Sequence, residues 1–131
     1  MGAWAADSFS NDDALDWLIA FTERPTVEML RDTLDAIVKD DEYLEAPDCS
    51  EAIAAAEIVA SLSGRPSVTI PDDLKAWLAT DHGLDAKRLV PLARQAMERI
   101  RAGSELQELW DESDHKDAWH ADMKNLVGRL G

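Results

Sequence analysis

The chain has 131 residues, with 13 Lys and Arg against 27 Asp and Glu, a formal net charge of −14. That length suits one domain spanning residues 1–131, and a chain of this size hides about two-thirds of its unfolded surface on folding. Apolar residues make up 46% of the chain and five residues are Trp, which excludes a disordered polymer. The negative charge disfavours direct binding to nucleic-acid phosphates or to an anionic membrane surface.

Cys49 is the single cysteine, so no intramolecular disulfide forms and a reducing cytoplasm is the expected compartment. Residues 1–7 lack the basic and apolar regions of a secretory signal, and no stretch approaches the ~20 apolar residues of a membrane span. No segment alternates with period two for long enough to require a strand. We therefore expect an all-α fold, a compact single-domain bundle of six or seven short helices around a central Ala-rich helix.

In chain order, Ser10 or Asn11 caps a first helix that carries Ala14, Trp17, Leu18 and Phe21 on one face and ends near Thr22. Thr26 caps a second, with Val27, Leu30, Leu34, Ile37 and Val38 in one stripe to about Lys39. After an acidic loop over residues 40–48, Asp48 and Glu51 read as a capping box for a third helix. Over residues 52–62 that helix is apolar on nearly every side, and Gly64 stops it. A connector over 65–70 leads to Pro71 at the start of a fourth helix with Leu74, Trp77 and Leu78, closed by Gly83. Asp85 caps a fifth helix to Ala102, kinked or restarted at Pro91. Ser104 caps a short sixth with Leu106, Leu109 and Trp110, and the last runs from about His115 to Leu130. Trp17, Trp77, Trp110 and Trp119 belong to the core in this reading, and Trp4 packs ahead of the first helix as a staple or lid.

The charge is unevenly placed. Residues 1–48 hold 13 acids and 3 bases, net −10, whereas residues 49–131 hold 14 acids and 10 bases, net −4. Lys87, Arg94 and Arg101 recur every seven residues along the fifth helix, with Arg88 and Arg99 on its other flank. Surface ion pairs from this basic stripe to the acidic front half, each worth about 1 kcal/mol at most, are its expected role.

Two sets of residues are candidates for function. The second helix and the loop after it offer Asp32, Asp35, Asp40, Asp41, Glu42 and Glu45 as a surface for a basic protein partner. The alternative set is Asp12, Asp13 and Asp16 with Glu57, whose carboxylates suit a hard cation or acid-base chemistry in a metal-dependent hydrolase. Acids in a first helical turn also answer the helix dipole. Glu57, a lone charge in an apolar run, calls for a partner such as an Arg from the fifth or last helix. His82, His115 and His120 show no zinc spacing, Cys49 has no neighbouring base, and the glycines form no phosphate-binding loop. No metal, cofactor or catalytic residue is assigned. A non-catalytic interaction protein, immunity-type or regulatory, is the expected function, with a nucleic-acid-mimicking inhibitor as a further alternative.

The string Met1-Gly2-Ala3-Trp4, then Phe9, then Asn11-Asp12-Asp13-Ala14-Leu15-Asp16-Trp17 resembles the opening of the bacterial domain-of-unknown-function family DUF4259. Tyr43-Leu44-Glu45-Ala46-Pro47, Ala54-Ala55-Ala56-Glu57-Ile58-Val59-Ala60, Ser104-Glu105-Leu106, Leu109-Trp110, Trp119 and Arg129-Leu130 extend the similarity over nearly the whole chain. Members carry Trp-Gly-x-Gly before the Phe, and Ala5 and Asp7 stand here at the glycine positions. The resemblance implies a small, soluble, helical bacterial protein and supplies no catalytic residue.

Overall fold

Short side-chain caps fix where the first, second and sixth α-helices begin. The computed structural model describes residues 8–9, 11–40 and 42–131, and among them are seven α-helices and no strand. Trp4, Ala5, Asp7, Ser10 and Asp41 lie outside the described residues. Asn11 caps α1 (Asp12–Glu23), its Oδ1 accepting the Ala14 N–H at 2.8 Å. Thr26 caps α2 (Val27–Lys39) through the Met29 N–H at 3.1 Å. Each oxygen satisfies a donor that the first turn leaves open.

The next helix, α3 (Ala46–Leu62), begins ahead of the expected Asp48–Glu51 capping box. Pro47 fits the first turn because its missing N–H is not needed there. Glu45 precedes the helix without a side-chain cap bond, and the Ala46 N–H donates instead to Glu105 Oε1 at 2.7 Å. Glu105 opens α6 (Glu105–Asp111), and its own N–H donates to the Leu44 carbonyl at 2.9 Å. Two helix starts remote in sequence thus cap each other. At the far end of α3, Gly64 adopts φ 87°, and the Arg65 and Gly64 N–H groups return to the Ala60 and Ser61 carbonyls, a Schellman closure.

Beyond it, α4 (Asp72–Leu78) follows Pro71 and ends at Leu78, so Gly83 does not close it. With φ 68°, Gly83 serves a later turn in the connecting loop. Asp85 Oδ1 accepts the Lys87 N–H at 3.0 Å ahead of a 3-10 turn, Lys87–Leu89. The chain then restarts as α5 (Val90–Ala102), with Pro91 in its first turn rather than at a kink. Ser104 caps α6 by accepting the Gln107 N–H at 3.1 Å, and α7 (Lys116–Arg129) completes the bundle.

From Cys49 to Ser61, every residue of α3 except Glu51 is buried. Alanines 52, 54, 55, 56 and 60 keep that helix thin, and α1, α2, α5, α6 and α7 all pack against it. Ile53, Ile58 and Val59 fill the gaps, each contributing about 1.5–3 kcal/mol by burial. The α2 stripe of Leu30, Leu34 and Ile37 is fully buried. Trp17, Trp110 and Trp119 are core residues, whereas Trp77 is half-buried. Trp17 Nε1 donates to Thr33 Oγ1 at 3.1 Å, tying α1 to α2. Among the described residues, no helix is long and apolar enough to cross a membrane.

Candidate functional site

The acidic edge is built by α2 and the loop after it. Asp32, Glu42 and Glu45 are exposed, and among the described residues their carboxylates have no hydrogen-bond or ion-pair partner. Asp35 pairs with Lys39 one turn on at 3.5 Å. Asp40 Oδ1 accepts the Glu42 N–H at 2.8 Å, which folds the loop. Arg99 of α5 donates from Nη2 to the Asp40 carbonyl at 2.6 Å and to the Glu42 carbonyl at 3.4 Å. A base therefore fixes this loop by its backbone, and among the described residues the Asp40 and Glu42 carboxylates have no ion pair.

The basic stripe behaves differently from its expected role. Lys87 and Arg88 fall on the 3-10 turn rather than on α5, and Arg101 pairs with Glu98 of its own helix at 3.3 Å. Among the described residues, no base of the stripe forms an ion pair with a front-half carboxylate. Arg99 reaches carbonyl oxygens because the loop turns those of Asp40 and Glu42 toward α5.

Asp12, Asp13 and Asp16 are exposed on α1, the first two in the turn that the helix dipole favours. Among the described residues, no group of His, Cys, Asp and Glu is arranged to hold a metal ion. Glu51 of α3 is partly sheltered; burial raises its pKa, and the charges of Asp48 and Asp13 push it further.

Glu57 is 1% exposed and fully engaged. Arg129 of α7 donates from Nη2 to Oε1 at 2.7 Å and from Nη1 to Oε2 at 2.9 Å, and the Ser8 hydroxyl donates to Oε1 at 2.9 Å. Arg129 itself is oriented by Asn125 Oδ1 at 2.7 Å and the Arg65 carbonyl at 3.2 Å. Ser8 also lies 3.5 Å from Asp122. The anticipated arginine thus comes from the last helix. With both oxygens committed and only 1% exposed, Glu57 presents no carboxylate to solvent, whereas Asp12, Asp13 and Asp16 do.

An apolar cleft of about 290 Å³ lies between α1 and α4. Leu15, Leu18, Ile19 and Thr22 form one wall; Pro71, Asp73, Leu74 and Trp77 form the other. The cleft lies where α4 approaches the bundle through buried Leu74 and half-buried Trp77 and Leu78. Trp77 meets Phe21 edge-on at 5.3 Å and stacks on His82 at 4.6 Å, while Phe21 stacks on Trp17 at 5.4 Å. His82 Nδ1 accepts the Leu84 N–H at 3.0 Å, which holds the ring in place. The sequence signal for this cleft was Leu15 and Ile19, an i, i+4 apolar pair outside the 14-17-18-21 core stripe.

Three other titratable side chains are shifted by their surroundings. Burial pushes the Cys49 thiol up to about 11. Tyr43 donates its hydroxyl to Glu108, and this bond raises the phenol to about 12. Asp111, at the end of α6, is held below the usual carboxylate range by the ring nitrogen of His120 at 2.6 Å, with Gln107 adding a second bond.

Comparison with curated proteins and with solved structures finds no match. The model of the family described as a domain of unknown function (DUF4259) matches residues 2–122. That stretch contains α1 through α6 and the first half of α7, so by sequence and along nearly its whole length the chain belongs to the DUF4259 family.

Proposed function

We propose that this protein is a non-catalytic interaction module, immunity-type or regulatory, that presents the edge formed by α2 and the following loop to a basic protein partner in the bacterial cytoplasm. One observation carries the reading. Of the described acids in residues 8–48, Asp35 is the one held in an ion pair, and most of the others are exposed. An unneutralised field of one sign speeds encounter with a partner of opposite charge and selects against like-charged ones. At ~0.1 M salt such a field reaches about 10 Å from the surface, so the interaction is salt-sensitive.

The test is capture of cellular proteins by the wild type and by an Asp32→Lys, Glu42→Lys, Glu45→Lys variant at low and high salt. A basic protein retained by the wild type, released by salt and lost with the variant is the expected result. Retention that neither salt nor charge reversal disturbs counts against the reading. Competition by duplex DNA for the captured partner identifies the nucleic-acid-mimicking version.

A further inference from the structure

The cleft between α1 and α4 combines two surfaces that seldom coincide without use. Its floor is apolar, and Ile19 stands 58% exposed at its lip. On the helix surface the neighbours of Ile19 are Leu15 and Thr22 toward the cleft and Asp16 and Glu23 away from it, with Asp12 one turn further along the same acidic row. Asp73 contributes a carboxylate from the opposite wall. The nearby bases are few: Lys75 is engaged with Asp72 at 3.9 Å, and Arg24 follows the end of α1. Val68, 93% exposed, stands on the connector that leads into Pro71.

We propose that this cleft is the docking slot for an apolar side chain presented by a Lys- or Arg-flanked segment of a partner protein. The inference rests on the reading of this protein as a binder of basic partners, and it names the place where such a partner anchors. Charge complementarity selects the occupant. A second copy of the chain brings its own −14 and the same acidic rim, and nucleic acid or anionic lipid is repelled for the same reason. An uncharged apolar ligand makes no use of Asp12, Asp16, Glu23 and Asp73. A segment with an apolar anchor and cationic flanks uses both surfaces: the anchor displaces water from Leu15, Ile19 and Trp77, and the flanks meet the acidic row.

The experiment is a titration of the isotope-labelled full chain, followed by amide chemical shifts, with three synthetic probes: an amphipathic Leu/Lys peptide, a Ser/Lys peptide of equal charge, and a Leu/Glu peptide. The Leu/Lys probe is expected to shift α1 and α4 amides and to bind about tenfold more tightly than either of the others. Ile19→Ser, a surface change that leaves the melting temperature in place, is expected to weaken it about tenfold, and Asp16→Lys with Glu23→Lys to weaken it comparably. Equal binding of Leu/Lys and Ser/Lys probes, mapped to α2 and the loop after it, overturns the slot while leaving the acidic-edge reading intact. Tight binding of the Leu/Glu probe overturns the basic occupant, and self-association abolished by Ile19→Ser overturns it in favour of a second copy. Silence toward every cationic probe overturns the slot and the parent reading together.

Discussion

Arg129 grips Glu57 with both terminal guanidinium nitrogens, so the one carboxylate sealed inside α3 is answered from the last turn of α7. A buried charge left without its partner is far more costly than a pair removed together. Arg129→Ala is therefore expected to destabilise the fold by about 3 kcal/mol or more, whereas Glu57→Met combined with Arg129→Met recovers most of that loss. Urea unfolding at neutral pH measures both; a single-variant loss below about 1 kcal/mol contradicts the pairing as a structural tie.

Tyr43 is the sole tyrosine, so an alkaline ultraviolet titration reads it alone. Ionisation removes the proton that binds Glu108 and brings two negative charges together, which places the midpoint at about 12 rather than the ordinary 10. Glu108→Gln is expected to return the midpoint to about 10. An unchanged midpoint in that variant assigns the shift to another cause.

Glu51 shows a shift of the same sign at acid pH. Its carboxyl titrates higher in the fold than in the unfolded chain because burial, then Asp48, then Asp13 disfavour the anion. The native state thus holds the extra proton, and the stability this provides is present at acid pH and lost as pH rises upward from the ordinary value of 4.5. Solvent screening keeps the effect small. Glu51→Gln should raise the melting temperature at pH 7 by about 1–3 °C, and the difference should shrink as pH falls toward 4.

Cys49 is fully buried with a thiol raised to about 11. Such a shift lowers the thiolate fraction about a hundredfold at neutral pH, before access is considered. Native protein should leave an aromatic disulfide reagent unreacted over minutes and consume one equivalent at once in urea. Rapid labelling of the native protein would show that the start of α3 opens far more often than the packing allows.

Many features that depend on neighbouring residues were legible in the sequence, although the Asp48–Glu51 box and Gly83 misplaced one start and one stop. Asn11, Thr26 and Ser104 cap because an oxygen three residues from an open N–H finds it whatever the tertiary fold. The all-round apolar pattern of 52–62 likewise pointed to a central helix, and Glu57 to a partner such as an arginine. Pairings across long separations were not legible. Glu105 caps Ala46 from 59 positions away, and no local pattern marks that bond. Arg99 was expected to seek carboxylates and instead holds two carbonyls, a choice made by how the loop turns. The candidate site divides in the same way. The acidic surface follows from composition, but the cleft needed α4 placed beside α1, and α4 is anchored too lightly for its sequence to announce where it goes.

The enclosure of α3 determines how the molecule comes apart. The amide protons of its enclosed stretch, residues 52–61, meet solvent only when the surrounding helices separate, so they should exchange no faster than the whole domain unfolds. Helix α4, a short helix held by Leu74, Trp77 and Leu78, is expected to open while the interior of α3 stays enclosed. Exchange should therefore fall into two tiers, with a lightly protected flap beside α1 and a single cooperative block behind it.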